Sequence, residues 1–475
     1  MKYRTVLPCA LLLILGLVLP GCDSQRETPP PVTGIKSAPA APQIAATPKK
    51  PFQEPMEPTL YELPSGALAT WRDHADQKPA LILFSSHPFL TPLYDGDRKA
   101  IRDLVLTAPA ADIVRRGRFW SADPLFFPPQ TVSAAIDAEL FSEVIFVRPT
   151  SKNVEELSLA EFRDQSLAAG FIDKREALAL TLNEGVITGT VRGTPLRVAH
   201  PLRIPKPSKP VIIHFDLSYF AELYINEIKT PVYDLLYATV LDVKDADPSA
   251  LAVTFSYSNQ EATYGLESRF MINDLAAILE HPRYLDETTP ASWTLRAGAL
   301  YAGAMFAESR ARELTVQAAT ANPDDPAALF ALAIRHLSQG REAEGFATLD
   351  QAAALDRGYA LAYLDLAMTG LAMGKSDKAI ELVRKATEAF PENSITRVDL
   401  AYLLIEGDRR KEALVLLKEL EALPWSAVFH PETLKLIQEM KSIAQSDDLS
   451  LRFKMAPGQG TRLPASSEKI PTFGQ

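Results

Sequence analysis

Apolar and small residues follow two different rhythms along this chain, and the change of rhythm divides it. Between residues 60 and 286, short apolar runs alternate with helical patterns. The runs 80–84, 144–147, 211–215 and 251–255 are too short for helices and apolar on both faces, as strands buried in a parallel sheet are. Segments 97–107, 131–140, 159–169, 231–243 and 266–279 carry helical periodicity and fit the crossovers of an α/β sheet. Three further runs, 178–182, 186–191 and 196–199, are joined by Asn183-Glu184-Gly185 and Arg192-Gly193, which predicts a small antiparallel meander inserted in that sheet.

From residue 292 to 425 the rhythm is a fixed repeat. Ala311, Gly345, Ala379 and Ala413 are spaced by 34 residues, and so are Ala299, Ala333, Ala367 and Ala401. A further column, Ala318, Ala352 and Ala386, follows the first, and Pro323 and Pro391 close two of the units. Small residues let paired helices approach closely, and proline stops the second helix of a pair. These columns resemble the tetratricopeptide repeat. The fullest unit reads Ala360, Tyr363, Leu366, Ala367, Gly374, Ala379, Ala386, Pro391. The unit starting at Ser292 lacks the glycine between its helices, and the unit starting at Ser394 has Gly407 one place early. Three to four repeats are expected. Such an array presents a concave face lined by its first helices, and that face usually holds a peptide or another domain. The resemblance places groove positions at Ala327, Phe330, Ile334 and Leu337, then Leu361, Leu364, Met368 and Leu371, then Ile395, Val398, Tyr402 and Ile405. An open apolar strip of that extent would aggregate. The groove is therefore expected to be filled, by the protein's own α/β domain or by an apolar segment of a partner.

The chain has 475 residues and a formal net charge of −10, ample for two cores and unsuited to nucleic acid as a partner. Its first residues carry Lys2 and Arg4, and the apolar run 6–19 is short for a membrane span, so residues 1–21 read as a secretory signal. The run ends Leu19-Pro20-Gly21-Cys22, which resembles the bacterial lipobox, whose cysteine becomes the lipid-bearing amino terminus. Of the two cysteines, Cys9 would be lost with the signal, which leaves Cys22 and no intrachain disulfide. Several acyl chains on Cys22, as the resemblance implies, would hold the protein stably on a membrane. The expected location is the bacterial cell envelope, facing the periplasm, with Asp23 tilting the choice towards the inner membrane. Residues 22–59 are rich in proline and alanine and read as a disordered tether; residues 446–475 read as a disordered tail.

Ligands of α/β sheets bind at the carboxyl ends of strands. Two such ends stand out, Ser85-Ser86-His87-Pro88-Phe89 and Asp216-Leu217-Ser218-Tyr219-Phe220. With their strands, and with the run 252–258, they resemble the arginase and deacetylase-like (ureohydrolase-like) superfamily. There the first end reads Asp-x-His-x-Asp and the second Asp-x-Asp, holding two divalent metals that activate water for C–N hydrolysis. Here Ser85, Phe89 and Ser218 replace three of those carboxylates, and only His87 and Asp216 remain. One carboxylate and one imidazole do not balance a dinuclear centre. Phe89 is further expected to put its ring where a metal would sit. The resemblance so implies a ureohydrolase-like fold that has lost its catalyst, with no metal or other cofactor besides the lipid. Serine-hydrolase chemistry from Ser85, Ser86, His87 and Asp216 lacks a Gly-x-Ser-x-Gly elbow, and His214 and His336 read as packed histidines. The function these features suggest is an envelope scaffold that binds protein. The alternative is an envelope amide hydrolase built around His87 and Asp216.

Overall fold

The computed structural model describes residues 47–150, 157–258, 265–285, 287 and 289–446. Its first half is one eight-stranded sheet: β1 (Thr59–Tyr61), β2 (Ala80–Phe84), β3 (Glu143–Val147), β4 (Thr181–Asn183), β5 (Val186–Val191), β6 (Thr194–Ala199), β7 (Val211–Asp216) and β8 (Ala250–Ser256). The order across it is β1-β8-β7-β2-β3-β6-β5-β4. All pairs from β1 to β6 are parallel, and only β6-β5 and β5-β4 are antiparallel. The meander is thus the sheet's edge, and its last strand pairs with β3; it is not an insertion. The direction in which the chain winds across the sheet reverses between the parallel strands β2 and β7. The chain leaves β2 towards β3 and leaves β7 towards β8, so a crevice is expected between those two carboxyl ends.

Side chains alternate across the pleat and divide the core in two. Leu81, Leu83, Val144, Phe146, Ile212 and Val198 face one layer of helices: α1 (Leu68–Arg72), α2 (Arg98–Thr107), α3 (Ala110–Arg116), α4 (Thr131–Asp137), α5 (Leu159–Ala168) and α6 (Lys174–Ala179). Ile82, Phe84, Ile145, Ile213, Phe215 and Phe255 face the other way, towards α7 (Leu217–Leu223), α8 (Val232–Ala246) and α9 (Phe270–Glu280). The expected tether enters this core before it ends. Phe52 is 1% exposed and stands edge-on to Phe215 at 6.3 Å, and the backbone of Lys49 bonds to that of Ala250. Proline-rich composition hid two core residues, Phe52 and Met56, so disorder does not extend through residue 59.

The second half is helical, as the repeat pattern requires. Four antiparallel pairs follow one another: α10 (Ala291–Ala304) with α11 (Glu308–Ala321), α12 (Pro326–Ser338) with α13 (Glu342–Leu355), α14 (Ala362–Ala372) with α15 (Ser376–Ala389), and α16 (Ser394–Glu406) with α17 (Arg410–Glu421). A last helix, α18 (Thr433–Gln445), packs on α16 and α17. The small-residue columns are the contact surfaces: Ala333, Ala367, Ala401, Ala379 and Ala413 are all 1% exposed or less. Each pair turns through one residue of positive φ, at Phe306, Gly340, Gly374 and Asp408, again 34 apart. The last unit is therefore not one place out of register. Asp408 adopts the conformation that glycine adopts in the two middle units, and Phe306 does so in the first. Among the described residues no helix is long and apolar enough to cross a membrane.

Candidate functional site

The carboxyl ends of β2 and β7 meet as the topology requires, but hydroxyls close them. Ser85 Oγ lies 3.1 Å from Ser218 Oγ, and the Ser86 amide donates to Ser218 Oγ at 3.1 Å. Asp216 ends β7 and caps α7. Its carboxylate accepts from the Ser218 amide at 3.0 Å and from the Ser258 hydroxyl at 2.6 Å, and it makes a short bond with Ser256 Oγ. Behind it runs a buried relay whose direction follows from the donors available. Trp71 Nε1 donates to Thr254 Oγ1 (3.1 Å), and Thr254 bonds to His214 Nδ1 (2.9 Å). His214 Nε2 bonds to Ser256 Oγ (3.0 Å). Because Ser256 gives its one proton to Asp216, it must accept from His214 Nε2–H, and Nδ1 must accept from Thr254. Burial holds the His214 imidazole down at about 4, against the pull of Asp216.

That order rules the cluster out as a hydrolase triad. In a triad the histidine takes a proton from serine and the carboxylate steadies the histidine; here the serine stands between histidine and carboxylate, fully buried. His87 sits at the rim, half-buried, with its pKa lowered by burial and pulled up by Asp216. Phe89 takes a left-handed backbone (φ 52°) and is buried in the first core layer, in the same cluster as Leu81 and Leu83. Among the described residues no three His, Cys, Asp or Glu side chains are grouped so that they could hold a metal. Cys22 lies outside the described residues.

The repeat groove is the larger candidate, and the α/β domain reaches into part of it. Ala327, Phe330, Leu361, Ile395 and Val398 are buried. Helix α12 packs on the turn Leu266–Ser268 that leads into α9, and the Ser394 amide, at the start of α16, donates to the Trp120 carbonyl at 2.9 Å. Further along the same helices Ile334, Leu337, Leu364, Leu371 and Tyr402 are half-buried and Met368 is 66% exposed. Ile405 is buried in the unit on which α18 packs. So the groove is covered at Ala327, Phe330, Leu361, Ile395, Val398 and Ile405, and it is partly open at Ile334, Leu337, Leu364, Met368, Leu371 and Tyr402.

Three polar joints fix the domains together, two of them on arginines inside otherwise apolar stretches. Arg269, with no exposed side chain, forks to Glu62 (2.8 and 3.0 Å) and to Asp356 (2.8 and 3.1 Å) and stacks on Tyr257 at 3.6 Å. Burial pulls its pKa down, but the two carboxylates more than restore it. Gly358 faces this guanidinium so closely that a Cβ would lie 2.0 Å from Cζ. Arg296 of α10 binds Asp274 of α9, Asp325 and the Tyr233 hydroxyl. At the far end Arg118 pairs with Glu392 at 3.0 Å, the Ser426 amide donates to the Ala122 carbonyl at 2.8 Å, and His430 Nε2 meets the Ser121 carbonyl at 2.9 Å. Sequence reading missed these joints. Arg269 and Asp274 interrupting the apolar pattern around Phe270, Ile272 and Leu275 were the available signal.

Residues 370–423 match the family model of the tetratricopeptide repeat. That segment includes the end of α14 and all of α15, α16 and α17, and it carries the groove positions Leu371, Ile395, Val398, Tyr402 and Ile405. No curated protein matches the chain. The repeat match is consistent with binding of protein partners.

Proposed function

We propose that this chain is a lipid-anchored scaffold of the bacterial envelope that holds a protein partner in the open part of its repeat groove. The observation that carries the reading is the strip Ile334, Leu337, Leu364, Met368, Leu371 and Tyr402, apolar and only partly covered by the protein's own α/β domain. In this reading Cys22 carries the lipid, the membrane is a partner only through that anchor, and Asp23 favours the inner membrane. The α/β domain, a ureohydrolase-like fold without its metal ligands, serves as a second recognition surface and as the wall that fixes one side of the groove. Paired substitutions test it: Leu364→Glu with Met368→Glu releases a partner that co-purifies with the membrane-bound protein, and Cys22→Ala moves the protein to the soluble fraction. A partner retained by the doubly substituted chain would remove the groove from the proposal.

The amide-hydrolase reading is the weaker of the two because both oxygens of Asp216 already accept hydrogen bonds from residues around it. Its test is metal content after incubation with manganese, zinc and iron. Stoichiometric metal, lost on His87→Ala, would favour it over the scaffold.

A further inference from the structure

A second cleft, separate from the groove strip and from the strand ends, opens where the two domains meet. It has a volume of about 570 Å³, within the range of sites for small ligands or one or two peptide side chains. Its walls combine two kinds of group. Tyr257, Tyr284 and Trp293 give aromatic surface, with Trp293 edge-on to Tyr284 at 5.7 Å and backed by Tyr233 at 5.3 Å. Glu62, Asp274, Asp324, Asp325 and Asp356 give carboxylates.

The charges there do not balance. Arg269 faces two of the carboxylates, Glu62 and Asp356, and Arg296 faces two more, Asp274 and Asp325. Asp324 is exposed and has no ion pair among the described residues. The lining arginine, Arg357, lies 3.5 Å from Glu392, which also binds Arg118. A surplus of negative charge is consistent with the state of Asp274, whose pKa is pushed up to about 7 by burial and by Asp325 against the pull of Arg296.

One further polar group lies behind the cleft wall. Tyr359 is completely buried, its ring 4.7 Å from Phe330, and its hydroxyl has no hydrogen-bond partner among the described residues. It lies within electrostatic reach of Asp325 and Asp356, both of which line the cleft, and of Arg269 and Arg296 behind them. Tyr359 does not itself line the cleft. Aromatic side chains beside carboxylates that outnumber their arginines, with Asp324 unpaired among the described residues, suit a cation that carries N–H donors.

We propose that this cleft binds an organic cation, an alkylammonium or guanidinium group presented by a small amine or by a basic side chain of a peptide. Calorimetric titration of the full chain with cadaverine, 1,5-pentanediol and an acetylated trilysine amide tests it. Cadaverine or the peptide saturates at one per chain, the neutral diol does not bind, and Asp324→Asn or Tyr284→Leu weakens the cation at least tenfold. Asp324 is exposed, so its substitution leaves folding intact, which thermal unfolding checks. Tighter binding of the peptide than of cadaverine assigns the cation to a polypeptide, and the reverse order assigns it to a free amine. Binding of the diol as strong as that of cadaverine, or cation binding unchanged in both variants, overturns the proposal.

Discussion

Val398 and Met368 line the same groove, at the fifth position of one repeat and the ninth of another. The first is 2% exposed and the second 66%. The side chains are alike in character, so the difference comes from what stands opposite. Trp120 of the α/β domain bonds to the start of α16 at Ser394, in the unit that carries Val398, and the turn Leu266–Ser268 packs on α12; Met368 has no such cover. One surface of the repeats is thus divided, part of it an intramolecular interface and the rest left partly exposed. A solenoid has no core beyond its neighbour contacts, and here the covered half adds to them.

The largest effect should come from the joint that seals the covered half. Arg269→Ala leaves Glu62 and Asp356 buried without their cation and should destabilise the chain by about 3–5 kcal/mol. Denaturant titration followed by probes in each half should then show the two halves unfolding separately where the parent unfolds together. Next comes the contrast along the groove itself. Phe330→Ala in the covered half should cost about 3–5 kcal/mol, whereas Met368→Ala in the open half should stay within about 0.5 kcal/mol. Equal costs would mean that the open strip is covered in solution.

Phe306 sharpens the comparison from the array's first turn. It takes positive φ with 89% of its surface exposed, where the second and third turns use glycine. Phe306→Gly relieves that backbone and should raise stability by about 1 kcal/mol, read as a higher denaturant midpoint with an unchanged slope.

A further effect is a pH dependence at the junction. Asp274 is held up at about 7 in the folded chain, above its ordinary range near 3.8, by burial and by Asp325. The folded state so takes up a proton there. Its contribution is complete below the ordinary carboxylate range and is lost as pH rises through about 7. Asp274→Asn should therefore gain in thermal midpoint relative to the parent between pH 5 and pH 8; a difference that does not move with pH would show that Asp274 does not titrate there.

Most of the architecture could be read in advance because it is written in local patterns. Strands β2, β3, β7 and β8 announced themselves as short two-faced apolar runs, and the repeats as small residues in phase. What could not be read depends on register or on distant partners. Strand β1 is three residues long with Leu60 exposed, and α7, at Leu217–Leu223, begins inside what read as a strand end. The pairing of Ser85 with Ser218 follows from the β2-β7 alignment, and the direction of the Trp71-to-Asp216 relay from counting protons along it. The arginine joints involve partners 87 and 207 residues away from Arg269, a separation no local pattern encodes.

Site-specific photo-crosslinking in living cells tests the division of the groove most directly, with the reactive group placed at Met368 in one variant and at Val398 in another. The account predicts that the group at Met368 joins the chain to another polypeptide, that Leu371→Glu abolishes this product, and that the group at Val398 gives only intramolecular products. A product with a second polypeptide from Val398, or none from Met368, would contradict it.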